Sequence, residues 1–365
     1  MKRIVTIVLA LAITLSLALS VTGCKKNDTV KNLEGTYTGL EGTTLNVINW
    51  GEYISDGSEG SLDVVAAFEK ATGITVNYQT LASCEDMYAK IKSNAVSVDV
   101  VVPSDYMIER MKNEGLLKKL DYSKITNYKY IDEKYKSLYY DENNEYTVPY
   151  NVGMVGVIYD TTKVQGTPDS WSLLWDEQYK GELLNFSNPR DGFMTAQELL
   201  GIDLNSTDKA DWDKAAAKLM EETPILQGRV MDEIFNKMEG SNAVAGPYYA
   251  GDFLTMKDNN DDLGFYYPKE GTNVFVDAMC VPNNAQNFDA AMMFINFMLE
   301  PEVALANAEY ICYATPNTAV LNNDEYSLKD NEYLYPKTAP KADYYHDLDP
   351  EVRSYYESLW EKIVK

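Results

Sequence analysis

Asn49-Trp50-Gly51-Glu52-Tyr53 brings an indole, a carboxylate and a phenol together within four residues. Such a set suits a cation, because ring faces attract positive charge and a carboxylate accepts its N–H donors. The preceding run Leu45-Asn46-Val47-Ile48 alternates and is branched, which predicts a strand. In open α/β sheets ligands bind outside the carboxyl ends of the strands, which is where this set would stand. The same residues also fit a plainer role, with Trp50 and Tyr53 capping the core and Glu52 in water.

Similar chemistry recurs further along the chain. Val98-Asp99-Val100-Val101-Val102 reads as a buried parallel strand, followed by Pro103-Ser104-Asp105-Tyr106. Ser104 or Asp105 would cap a helix running through Met111. Tyr106 then stands on the same rim as Trp50 and Tyr53, or packs on its own helix. In the second half, Glu182 to Phe186 reads as a strand leading into Ser187-Asn188-Pro189-Arg190-Asp191-Gly192. Ala243-Val244-Ala245-Gly246 leads likewise into Pro247-Tyr248-Tyr249. Asn273 to Val281 is a further strand, and residues two apart share a face, so Phe275 and Asp277 point the same way. A carboxylate in an apolar strand is costly unless paired. An edge strand with Asp277 in water is the other reading.

His346 is the one histidine, so zinc proteases, Ser-His-Asp hydrolases and Cys-His enzymes are excluded unless His346 carries them alone. No nucleophile–base pair is visible, and neither enzymatic activity nor a cofactor is expected. Beyond Cys24 the cysteines are Cys84, Cys280 and Cys312, an odd number without metal-ligand spacing. One disulfide stays open, with no pair favoured. The formal charge of −24 argues against nucleic acid, which needs a basic footprint. It could steer cationic ligands.

The chain opens with Met1-Lys2-Arg3, an apolar run from Ile4 to about Leu19, and Val21-Thr22-Gly23-Cys24. A basic start, a short apolar core and small residues before the cut predict a secretory signal over 1–23. The last four of these residues resemble a bacterial lipobox, which makes Cys24 the expected lipidation site. Residues 24–43 are polar and contain glycine, as a flexible tether would. The protein is thus expected outside the cytoplasm, at the cell surface or in the periplasm, held to the membrane by its lipid alone.

About 320 residues remain, more than one core usually serves, so two domains are expected. Strand and helix signals alternate from Leu45 to Val102, which indicates an α/β unit with a parallel sheet. Thr147 to Tyr159 is long, extended and interrupted by Gly153 and Gly156, as a strand crossing between domains would be. Helices are expected at 193–200, 209–222, 230–238, 290–299 and 301–308, with an amphipathic one from about Glu351 to Ile363.

Several stretches together carry a family resemblance. They are Asn49 to Tyr53, Met87-Tyr88-Ala89-Lys90, Val101-Val102-Pro103-Ser104, Ser170-Trp171 to Trp175, Tyr179-Lys180-Gly181, Pro268-Lys269-Glu270-Gly271 and Tyr313-Ala314-Thr315-Pro316-Asn317. In order over nearly the whole mature chain, they resemble the substrate-binding lipoproteins of bacterial polyamine ABC transporters, the spermidine/putrescine-binding type. The resemblance implies a two-lobed α/β fold of the periplasmic-binding-protein kind, type II-like, with ligand in the cleft. Lobe 1 would be 44–153 plus 276–321, and lobe 2 would be 154–275 plus 322–365. It implies a monomer that hands a polyamine to a membrane permease.

By the same resemblance Trp50 and Tyr53 are aromatic walls, with Glu52 beside them and Ser104 and Tyr106 opposite. Asp191 and Asp277 bind ammonium groups, and Tyr313 closes one side. Three departures stand out: Asn188 where the pattern usually offers an acid, and Tyr248 and Phe275 where tryptophans are common. A phenol or phenyl ring keeps a face for a cation but attracts it less than an indole.

Two other functions stay open on the sequence. A lipid-anchored glycosidase would use Asp191 and Asp277 as its pair of acids. The same fold with another ligand, ferric iron on Tyr248 and Tyr249 or a sugar on the stacked aromatics, is the second.

Overall fold

In a computed structural model the structure describes residues 37–365. The signal segment, Cys24 and the start of the tether lie outside the described residues. Residues 37–43, expected as the end of that tether, are docked. Tyr37 is buried edge-on against Phe297, with ring centroids 5.7 Å apart, and Gly42 donates its N–H to Gly73.

Ten strands form one curled sheet: β1 Thr44–Asn49, β2 Thr75–Thr80, β3 Val100–Val101, β4 Thr147–Asp160, β5 Leu183–Phe186, β6 Leu226–Val230, β7 Ala245–Tyr249, β8 Leu263–Tyr266, β9 Thr272–Cys280 and β10 Ala342–Asp343. Their order is β2-β1-β3-β9-β4-β7-β5-β6, with β8 added to β4 and β10 to β9. Pairing is parallel at both ends, β1 with β2 and β3, and β5 with β6 and β7. It is antiparallel in the middle, where β4 meets β9, β7 and β8.

β4 is the element shared by both halves. Its Thr147–Met154 portion pairs with β9, and from Val155 onward it pairs with β7. Gly153 lies against the ring of Phe275, so that a Cβ there would overlap the ring; Gly156 lies in the same way against Phe265. The glycines read as marks of a crossing strand are therefore places where an aromatic ring takes the room of a side chain.

Local signals set the helices. Asp63 accepts the N–H of Ala66 at 2.9 Å and caps Val64–Thr72, which Gly73 ends at φ 71°. Ser83 caps Cys84–Ser93 in the same manner. Apolar faces then bury against the sheet: Phe68 of the first helix meets Phe294 and Phe297 of Phe288–Met298 edge-on. The carboxyl-terminal helix Pro350–Ile363 lays Tyr356 and Trp360 on Phe193 and Trp212 of the second half.

Three expectations are corrected. The helix expected at 230–238 starts three residues later, as Glu233–Glu239, because Val230 is the last residue of strand β6, which was not expected. The helix expected from Phe193 begins at Pro189, with Asn188 as its N-cap. Cys84, Cys280 and Cys312 are free thiols, so the disulfide left open does not form.

Candidate functional site

The end of β1 turns back on itself through two hydrogen bonds of Asn49. Its Nδ2 donates to the Tyr53 carbonyl at 3.2 Å, and its Oδ1 accepts the Trp50 N–H at 2.9 Å. Tyr150 adds a bond from its hydroxyl to the same carbonyl at 2.9 Å. Glu52, at φ 49°, sits exposed at the tip of the turn. Trp50, Glu52 and Tyr53 are thus displayed by a pinned turn rather than a loose loop.

The Tyr53 hydroxyl donates to Asp277 Oδ2 at 2.6 Å, and the Ser104 hydroxyl donates to Oδ1 at 2.6 Å. Ser104 has N-cap backbone geometry, but its side chain serves Asp277 rather than the helix. Asp277 is buried, so the reading of an edge-strand carboxylate in water is overturned; two hydroxyls meet its need for partners. Burial pushes its carboxyl up to about 6, against the two hydrogen bonds that favour the charged form.

On the other half, Asn188 accepts the Asp191 N–H and donates through Nδ2 to Asp191 Oδ2, each at 2.9 Å. Tyr249 donates to the same oxygen at 2.7 Å, and Tyr345 donates to Oδ1 at 3.0 Å. Tyr248 donates to Asp232 at 2.9 Å, Tyr313 to Asp252 at 2.8 Å, and Tyr106 to Glu85 at 3.2 Å. Tyr310 makes a longer contact of 3.4 Å to Glu52.

All of these groups line one cavity of about 1020 Å³ between the two halves. The eleven residues expected from the sequence (Trp50, Glu52, Tyr53, Ser104, Tyr106, Asn188, Asp191, Tyr248, Phe275, Asp277 and Tyr313) all stand on its wall. The wall carries nine carboxylates and a single basic side chain, Arg190. Arg190 is buried, with its guanidinium 4.4 Å from the centre of the Tyr345 ring. Six of the nine acids accept a tyrosine hydroxyl, which orients each carboxylate and leaves acceptor positions free for a ligand.

Between the acids stand rings in contact with one another. Tyr53 meets Tyr313 edge-on at 5.2 Å, Tyr249 meets Phe275 at 5.4 Å, and Tyr106 meets Tyr345 at 5.9 Å. Such a wall gives apolar contact to methylene groups and negative ring faces to cations. Sequence reasoning missed Glu85, Asp232, Asp252, Arg190 and Tyr345. Only Arg190 carried a local signal, beside Asp191 in the stretch already singled out.

Residues 63–333 match the model of a family described as bacterial extracellular solute-binding proteins. The chain belongs to that family. It is 32% identical over 328 residues to the spermidine/putrescine-binding periplasmic protein of Escherichia coli strain K12, covering 88% of this chain and 92% of that one. Against the protein of the same description from Salmonella typhimurium it is 32% identical over 324 residues, covering 88% and 91%. A putative spermidine/putrescine ABC transporter structure from Listeria monocytogenes superposes with a TM-score of 0.83 at 37% identity, covering 88% of this chain and 98% of that one.

The family resemblance and the two-lobed periplasmic-binding-protein fold expected from the sequence are borne out by these relatives. They are solute-binding proteins of extracytoplasmic type, not enzymes, so the glycosidase reading is set aside. Among the described residues no helix is long and apolar enough to cross a membrane.

Proposed function

We propose that the protein captures a polyamine in the cavity between its lobes and delivers it to the permease of an ABC transporter. The observation that carries this reading is the wall itself: nine carboxylates against one guanidinium, interleaved with aromatic rings. A polyamine is a flexible alkyl chain with separated ammonium groups. Rings can pack on its methylenes while Asp277 on one half and Asp191 on the other take its charges. The names of the relatives agree with this choice of ligand.

Ferric iron fits the wall less well. Burial raises the hydroxyls of Tyr248 and Tyr249 well above their ordinary range, and each donates its proton to an aspartate, whereas an iron ligand must give that proton up. A sugar needs no pair of facing carboxylates.

The lobes in this reading are 44–153 plus 276–321 and 154–275 plus 322–365, closing over the ligand as a monomer. Cys24 would carry the lipid that keeps the protein beside its permease, and Cys24→Ala would abolish lipid labelling and release the protein from the membrane fraction. Calorimetry of the mature protein with putrescine, spermidine, glucose and ferric citrate tests the ligand. Binding of an amine alone is expected; binding of glucose or iron in place of the amines would overturn the proposal.

A further inference from the structure

Residues 344–349 form a strap that joins β10 to the helix Pro350–Ile363 without regular structure of its own. Tyr345, within this strap, lines the cavity and donates to Asp191 Oδ1 at 3.0 Å. The place of its ring therefore depends on what holds the strap. From the second half Asn205 holds both neighbours of Tyr345. It donates to the Tyr344 carbonyl at 2.8 Å and accepts the His346 N–H at 2.7 Å. Arg190 donates to the same Asn205 oxygen at 3.2 Å while its guanidinium lies over the Tyr345 ring.

The first half reaches the strap from outside the cavity. Tyr139 donates to the Tyr345 carbonyl, and its ring lies 4.2 Å from that of His346. Glu109 Oε2 accepts the Asp347 N–H at 2.8 Å, and His346 Nδ1 stands 3.5 Å from the same oxygen. Glu109 is not on the cavity wall, yet its side chain is only 20% exposed, too little for a freely solvated surface acid. It belongs to the helix Asp105–Asn113, whose N-cap Ser104 donates to Asp277. One short helix thus touches the supports of both acids. Ser104 at its start holds Asp277, and Glu109 holds the strap that brings Tyr345 to Asp191.

Resting on the polyamine reading above, we infer that Glu109 is a positioning residue for ligand binding, acting through Tyr345 on Asp191. A binding group keeps its aim when the side chains around it are themselves fixed by hydrogen bonds. Asp191 is thus oriented in part from the half that carries Asp277.

Calorimetry with spermidine and putrescine on the parent, Glu109→Ala, Glu109→Gln, Tyr345→Phe and the double variant Glu109→Ala, Tyr345→Phe tests this. Urea unfolding checks that each variant folds. Glu109→Ala should weaken both amines by at least about threefold, within the range of coupling between residues that share one network. Glu109→Gln keeps an acceptor for the Asp347 N–H and should stay within about twofold of the parent. In the Tyr345→Phe background, Glu109→Ala should change affinity by less than about twofold, because the hydroxyl through which it acts is gone. A residue that served only the fold would cost the same in both backgrounds. Parental affinity in Glu109→Ala, a Glu109→Gln as weak as Glu109→Ala, or an equal loss in both backgrounds would overturn the role of Glu109 and leave the polyamine reading standing. A parent that binds neither amine would overturn both.

Discussion

Asn188 holds Asp191 at two points, accepting its backbone N–H and donating to its carboxylate. The position where the family pattern usually offers an acid is thus occupied by a helix cap that also aims the neighbouring acid. Replacing Asn188 with alanine removes the cap, which costs about 1 kcal/mol. The expected fall in melting temperature is about 2–4 °C for a unit of this size. Calorimetric scanning that finds no fall would show that the cap contributes nothing.

Asp277 is the acid most enclosed by the first half, held by Tyr53 and Ser104. A charge-assisted hydrogen bond in such a site is worth roughly 1.5–3 kcal/mol. Asp277→Asn should therefore weaken polyamine binding about ten- to a hundredfold with the fold intact. Titration calorimetry showing parental affinity would place the ligand elsewhere.

The pH dependence follows from the two raised carboxyls, Asp277 at about 6 and Asp252 at about 7. In the ligand-free state the folded protein holds protons on these groups that the unfolded chain has already lost. The stability they lend is full below the ordinary carboxylate range and is lost as pH rises through about 6 and then 7. A bound ammonium requires the ionised forms. Affinity should then fall as pH is lowered from about 8 to about 5.5, and binding near neutrality should release protons. Binding heats that do not vary among buffers of different ionisation enthalpy would contradict this.

Gly153 and Phe275 form the close contact between β4 and β9. Gly153→Ala forces the ring off its place, and overpacking of this kind costs typically about 1–3 kcal/mol. Since Phe275 also lines the cavity, the same change should weaken ligand binding. The double variant Gly153→Ala, Phe275→Leu should recover part of the stability in urea unfolding. A single variant as stable as the parent would mean that β4 shifts to make room.

Much of the fold was legible because its signals are local. The run before Trp50 and the helix Lys209–Glu222 each show their role within a few residues, whereas the room that Gly153 and Gly156 leave for Phe275 and Phe265 shows only in the fold. β6 was not legible: Leu226-Gln227-Gly228-Arg229-Val230 alternates, but it is short with a glycine at its centre, and its parallel pairing with β5 makes it a strand. The start at Pro189 was present as a cap followed by proline, but the run of polar residues there reads equally as a loop. For the cavity, sequence types at strand ends and the family resemblance were enough to find Glu52 and Asp277 on the first half and Asp191 on the second. Asp252 and Tyr345 were missed because their partners, Tyr313 and Asp191, are far away in the chain and no local pattern connects them.

The partner switch in β4 also bears on how the chain is made. The first portion of β4 pairs with β9, and Phe68 of the first half packs on Phe294 and Phe297, all of which are synthesised after residues 154–271 of the intervening half. The first half therefore cannot close until the chain has been made as far as β9 and the helix Phe288–Met298. Pairing over such sequence separation is slow. Until then the apolar faces of β1 and of the helix Val64–Thr72 lack their cover, so the first half stays open longer than its local signals alone would require.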